Sequence, residues 1–270
     1  MIFEIIEIIF WFSTIFFLFL MAIIFFLEFR NRIGFSHYFF RGLFIFALTF
    51  GIARLIENIR RYFIGSYNDI FEAWIRGEQI TGLNFWLRFF YYLISWVGMS
   101  FVYYNVERHI FTNNKFLLTI LSIVEGVVSI INYVIFNMVT YWMAVWIYFI
   151  PAFFLSLLFF RAATKAPSKY VKNGCLLTAL GIFTIATAVA IDLPETAYFW
   201  YIFRVETPEL FVRLIAPILL TIGAFLLTFG LKYHFQESKG EKSASKSSEI
   251  NVKSDLIERK LIDLANAKDK

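Results

Sequence analysis

Arg54, Glu57, Asn58 and Arg61 fall at i, i+3, i+4 and i+7 of a segment that otherwise reads as a membrane-spanning helix. That spacing gathers two guanidinium groups, a carboxylate and an amide on one helix face. A charge at the centre of a lipid-embedded helix costs about 2.5–3.5 kcal/mol or more. Such a face must therefore turn to protein, water or a ligand. Arginine forks grip carboxylate and phosphate in bidentate fashion, so the chemistry indicated is recognition of an anionic or zwitterionic group.

Three other segments carry polar residues at helical spacing. Asn84, Arg88, Tyr92, Ser95 and Gly98 form one set, and Ser122, Glu125, Ser129 and Asn132 a second. Glu209 and Arg213, followed by Pro217, Thr221 and Thr228, form a third. The expected ligand-binding residues are Arg54, Glu57, Asn58, Arg61, Arg88, Tyr92, Glu125, Asn132 and Arg213. Glu125 lies ten residues past Lys115, which places it about 15 Å into the bilayer at 1.5 Å per residue. At that depth snorkelling to the headgroups cannot explain it, and it is expected at the floor of a cation-rich cavity opening outward. The competing structural reading pairs Arg54 with Glu57, sends the other arginines to headgroups and hydrogen-bonds Glu125 to Asn132.

The elements that must hold these residues are transmembrane helices. The chain has 270 residues, 60% of them hydrophobic, against about 45–50% in soluble domains. Apolar runs lie at about 8–29, 39–63, 84–106, 116–136, 141–160, 174–191 and 209–231, each near the ~20 residues a bilayer requires. The fold class expected is an all-α membrane protein, a seven-transmembrane-helix bundle. A single bundle spanning residues 1–235 uses most of the length and excludes a soluble kinase, nuclease or cyclase domain. The first run stays as a span, because Glu4 and Glu7 replace the basic stretch of a signal peptide.

Loop charges set the orientation. Arg30, Arg32, Arg41, Arg108, Lys115, Arg161, Lys165, Lys169 and Lys172 share one side with the lysine-rich tail. Glu4, Glu7, Asp69, Glu72, Glu78, Asp192, Glu195 and Glu206 lie on the other, with Arg60, Arg61, Arg76 and Arg204. The Lys/Arg excess puts the N-terminus out and the C-terminus in the cytoplasm, and reads the net charge of +5 as topology, not as a nucleic-acid footprint. Residues 67–76 suit a short helix on the outer surface. Residues 236–253 read as a flexible linker, and 254–266 as an amphipathic cytoplasmic helix. Ile250, Ile257 and Leu264 at seven-residue spacing offer a docking face for a cytoplasmic protein or a second copy through residues 250–266.

Other features weigh less. Phe, Tyr and Trp make up 21% of the chain, which reads as codon bias more readily than as an aromatic ligand cage. Cys175 is the single cysteine, so no intramolecular disulfide exists. Thr178, Gly181, Ala186 and Ala190 read as a helix-packing seam. No Gly-rich phosphate loop, nucleophile elbow or Cys-His metal spacing appears, so no enzyme chemistry, metal or cofactor is expected.

Seven spans invite comparison with rhodopsins and G-protein-coupled receptors. A retinal protein needs a mid-membrane lysine in its last helix, whereas Lys232 stands at the end of span seven. Glu107-Arg108-His109 resembles the Asp/Glu-Arg-Tyr motif of rhodopsin-like receptors, but the loop disulfide, Cys-Trp-x-Pro and Asn-Pro-x-x-Tyr elements of that family are missing. The Phe/Ile-rich pattern, with Glu-Arg after span three, also resembles uncharacterised seven-helix membrane proteins of archaeal and prokaryotic type, which implies the fold and no activity. His37, His109 and His234 share the cytoplasmic side, as in seven-helix zinc hydrolases of the ceramidase and progestin-receptor type. The His-x-x-x-His pair of their last helix is absent here. The expectation that follows is a receptor-like sensor of a small anionic ligand or lipid headgroup. The alternatives are a proton-coupled transporter using Glu125 and a structural subunit of a membrane complex.

Overall fold

The computed structural model describes residues 2–31, 35–64, 73, 76, 78–109, 116–136, 141–166, 168–192 and 214–231. Side chains at 2–3, 35–36, 39, 109 and 141–148 are outside that description. So are Arg213, the 236–253 linker and the 254–266 helix, together with all but two residues of the expected surface helix at 67–76.

The described residues are helical, with no strand among them. The helices are α1 (Ile2–Arg30), α2 (Phe35–Ile59), α3 (Gly82–His109), α4 (Leu117–Phe136), α5 (Tyr141–Thr164), α6 (Lys169–Asp192) and α7 (Leu214–Leu231). α2 continues into a π-helical turn, Arg60–Ile64. Six of the helices are long and apolar enough to cross a membrane, and Phe149–Thr164 of α5 supplies a shorter apolar stretch. The chain is thus a multi-pass integral membrane protein.

Exposure supports the same conclusion. Ile9, Phe16 and Ile23 of α1 and Ile120, Val127 and Val134 of α4 all stand more than half exposed or nearly so. Apolar surface on that scale is unsuited to water and suits hydrocarbon. The inward face of α1 carries Trp11, Ile15, Leu18, Ala22 and Phe25 at spacings of three and four, and all are buried.

Consecutive helices pack side by side from α1 to α7, and α7 returns to α1. The return contact is polar: Thr14 donates to the Pro217 carbonyl at 3.1 Å and meets the Thr221 hydroxyl at 2.9 Å. The α6–α7 contact runs backbone to backbone. A Cβ added to Gly181 would come within 2.5 Å of the Leu227 nitrogen and 2.9 Å of the Gly223 oxygen. Close approach of this kind is what small residues permit when lipid offers no hydrophobic drive between helices.

Two helix starts show how the ends are satisfied. Ser168 accepts from the Val171 amide at 3.3 Å and caps α6. Before α4, Phe116 adopts a left-handed backbone (φ 59°) and has no side-chain oxygen to cap with. Glu107, at the end of α3, supplies the cap from another helix: its carboxylate accepts the Leu118 and Thr119 amides at 2.7 and 2.9 Å and the Thr119 hydroxyl at 2.7 Å.

Candidate functional site

The face that begins at Arg54 meets α1, α3 and α6 in a buried cluster of charges. Arg54 Nη1 donates to Asp192 at 2.5 Å, and Arg61 Nη2 donates to the other oxygen of the same carboxylate at 3.1 Å. Arg61 also lies 3.9 Å from Glu7 of α1, which accepts the Tyr62 hydroxyl at 2.8 Å. Glu57 accepts Arg60 Nη2 and Nε at 2.9 and 3.1 Å and Arg88 of α3 at 2.6 Å. Arg88 donates in turn to the Tyr92 hydroxyl at 3.0 Å. Asn58 turns its amide back onto the Arg54 carbonyl at 2.8 Å. All seven charged residues are at most 4% exposed.

The π-helical turn explains how so many charges share one site. A π turn carries an extra residue per turn relative to an α turn. It therefore rotates the residues from Arg60 onward with respect to Glu57. Both Arg60 and Arg61 end up buried, Arg60 against Glu57 and Arg61 against Asp192 and Glu7.

Aromatic rings complete the enclosure. The Arg54 guanidinium lies over Trp11, Phe50 and Tyr91 at 5.3–5.5 Å from each centroid. Arg61 shares Trp11 at 5.3 Å, and Arg88 lies over Tyr91 and Tyr92 at 5.0 and 4.8 Å. Each such contact adds about 0.5–2 kcal/mol of attraction where water is excluded. These aromatics cage the protein's own arginines, a use that composition alone does not distinguish from codon bias.

Several sequence expectations need correction. Arg54 does not pair with Glu57 along the helix; its partner is Asp192, 138 residues away. Glu7, Arg60 and Asp192, expected on the outer side but not among the ligand-binding residues, are core members of the cluster. The physical reason is desolvation: a buried guanidinium is tolerable only with a carboxylate beside it, so the acids at the ends of α1 and α6 are drawn inward. Arg54, Glu57, Asn58, Arg61, Arg88 and Tyr92 do come together. Glu125 and Asn132 are both half-buried on α4, and no described hydrogen bond or ion pair joins Glu125 to them.

Glu125 has its own setting at the α3–α4 interface. Its Oε2 is buried and accepts no hydrogen bond. The adjacent Gly126 lies against Trp96 of α3. His37, one of the three histidines, uses Nδ1 on the Phe29 carbonyl at 2.9 Å. No group of three metal-ligating side chains occurs among the described residues.

No protein-family model matches the chain, and no curated protein or solved structure matches it either.

Proposed function

We propose that the chain is a seven-helix, receptor-like membrane sensor with its N-terminus outside and its C-terminus in the cytoplasm. A small anionic or zwitterionic ligand, or an anionic lipid headgroup, docks on the charged cluster at the outer end. One observation carries this reading. Among the described residues the cluster holds Arg54, Arg60, Arg61 and Arg88 against Glu7, Glu57 and Asp192, four positive less three negative, or one positive charge in excess. Buried donors remain in hand: Arg54 Nε and Nη2 and Arg60 Nη1 have no hydrogen-bond partner. Buried donors without an acceptor are costly, and a single bound anion would take them up.

The route from binding to response runs through Asp192. An anion drawn to Arg54 competes with the carboxylate that ties α6 to α2. α6 is packed backbone to backbone on α7, so its displacement is shared by both. The test is thermal stability in lipid nanodiscs across a panel of carboxylates, phosphates and sulfonates. Ligand at a hundred times its dissociation constant stabilises by about 2.7 kcal/mol. At least one anion should raise the wild-type Tm, with a smaller rise for Arg54→Lys; a panel that leaves wild type unmoved overturns the reading.

A proton-coupled carrier is the second reading, and Glu125 favours it. A carboxyl oxygen buried in a membrane helix without a donor suits a group that changes protonation. Glu125→Gln should then abolish proton-driven solute uptake into proteoliposomes while leaving anion-dependent thermal shifts unchanged. Uptake that survives the substitution removes this reading.

A further inference from the structure

One helical turn from the charged cluster, the bundle holds a cavity of different character. Phe50, four residues before Arg54, and Val189, three before Asp192, are among its walls. From there it follows the helices away from the cluster as far as Val106 of α3 and Leu231 of α7. Eleven residues of α3 separate Ser95 from Val106, so the cavity is about 16 Å long at 1.5 Å per residue.

The walls are apolar apart from three hydroxyls. Ser95, Tyr103 and Thr178 line the cavity and are 1–2% exposed. None of the three hydroxyl oxygens has a hydrogen-bond partner. This departs from the habit of the same helices. Thr184 and Thr187 of α6 return their hydroxyls to the carbonyls four residues back, at 2.8 and 2.9 Å. Thr178 does not. A buried hydroxyl left unpaired costs about 1–3 kcal/mol. Ser95 and Tyr103 are also two turns apart, about 12 Å along α3, so one water cannot serve both. Water needs two to four polar partners at a single place, which these walls do not offer.

We infer that this cavity binds a neutral, elongated lipophile carrying a hydroxyl or carbonyl oxygen, with its chain along α3, α5 and α6 and its oxygen paired to Ser95, Tyr103 or Thr178. The lack of any charged side chain among the lining residues disfavours an anionic head. The site is independent of anion docking at the cluster, and failure of that reading leaves it standing.

The probe is 1-dodecanol, compared with dodecane and dodecanoate by Tm in lipid nanodiscs. Wild type should be stabilised most by dodecanol. The triple substitution Ser95→Ala, Tyr103→Phe and Thr178→Val removes the three hydroxyls, the last replaced by a methyl group, and keeps the shape of the walls almost intact. It should weaken dodecanol binding at least about tenfold and erase its advantage over dodecane. The single changes Ser95→Ala, Tyr103→Phe and Thr178→Val, each measured separately, provide the same comparison should the triple variant fail to fold, and at least one of them should erase the advantage. Dodecanol no better than dodecane on wild type, an advantage that survives removal of the hydroxyls, or a dodecanoate shift that exceeds that of dodecanol and falls with the triple substitution would each overturn the assignment.

Discussion

At the scale of single residues, Asp192 is the group on which most depends. It accepts from Arg54 and Arg61 at once and connects α2 to α6. Removing one member of a buried charge set leaves the others unpaired in a low-dielectric setting, which costs about 3–5 kcal/mol. Asp192→Asn should therefore lower stability by about that amount, read as a fall in the unfolding midpoint of the reconstituted protein. The double change Arg54→Leu with Asp192→Leu should cost less than the two single changes added together, because it removes cation and carboxylate together. Equal, additive losses would show that the 2.5 Å contact does not couple the two residues.

Helices were far easier to read in the sequence than the contacts between them, and the reason lies in what each depends on. The limits of α3, α4 and α6 follow from runs of apolar residues, a local property, and each lies within a few residues of the expected span. The Arg54 face was legible because i, i+3, i+4 and i+7 is also local. Its partners were not: Asp192 closes α6, where an acid resembles any loop charge, and Glu7 opens α1 in the same guise. Arg60 was hidden by the π turn, since α-helical spacing alone does not give Arg60 and Arg61 their shared burial. Glu107 is a further case. Its sequence context resembles a receptor motif, while its carboxylate caps α4. Glu107→Ala should expose the Leu118 and Thr119 amides to faster hydrogen exchange and cost about 0.5–2 kcal/mol. The α6–α7 seam depends on the absence of a side chain. Gly181→Val should push the two helices apart and lower the midpoint by several degrees, a larger fall than Gly→Val at Gly51, whose nearest neighbour is the Phe19 side chain at 3.3 Å.

For the whole molecule, the arrangement joins a charged end to an apolar interior through shared walls. Phe50 lies under the Arg54 guanidinium and also faces the cavity, and Val189 stands one turn below Asp192. A change at either site therefore has a short mechanical path to the other through α2 and α6. The outward placement of the charged end is a proposal from the loop arginines and lysines, and the chain is well suited to a direct measurement. Cys175, its single cysteine, is buried, so the wild-type protein offers little background to a membrane-impermeant maleimide. Glu4 on α1 and Lys165 after α5 are both exposed. In intact cells Glu4→Cys should label from outside, whereas Lys165→Cys should label only after the membrane is opened. Labelling in the reverse sense would invert the bundle and place the charged cluster at the cytoplasmic face. A cytoplasmic anion would then be the ligand to test, while the lipophile cavity, which opens no question of sidedness, would keep its assignment.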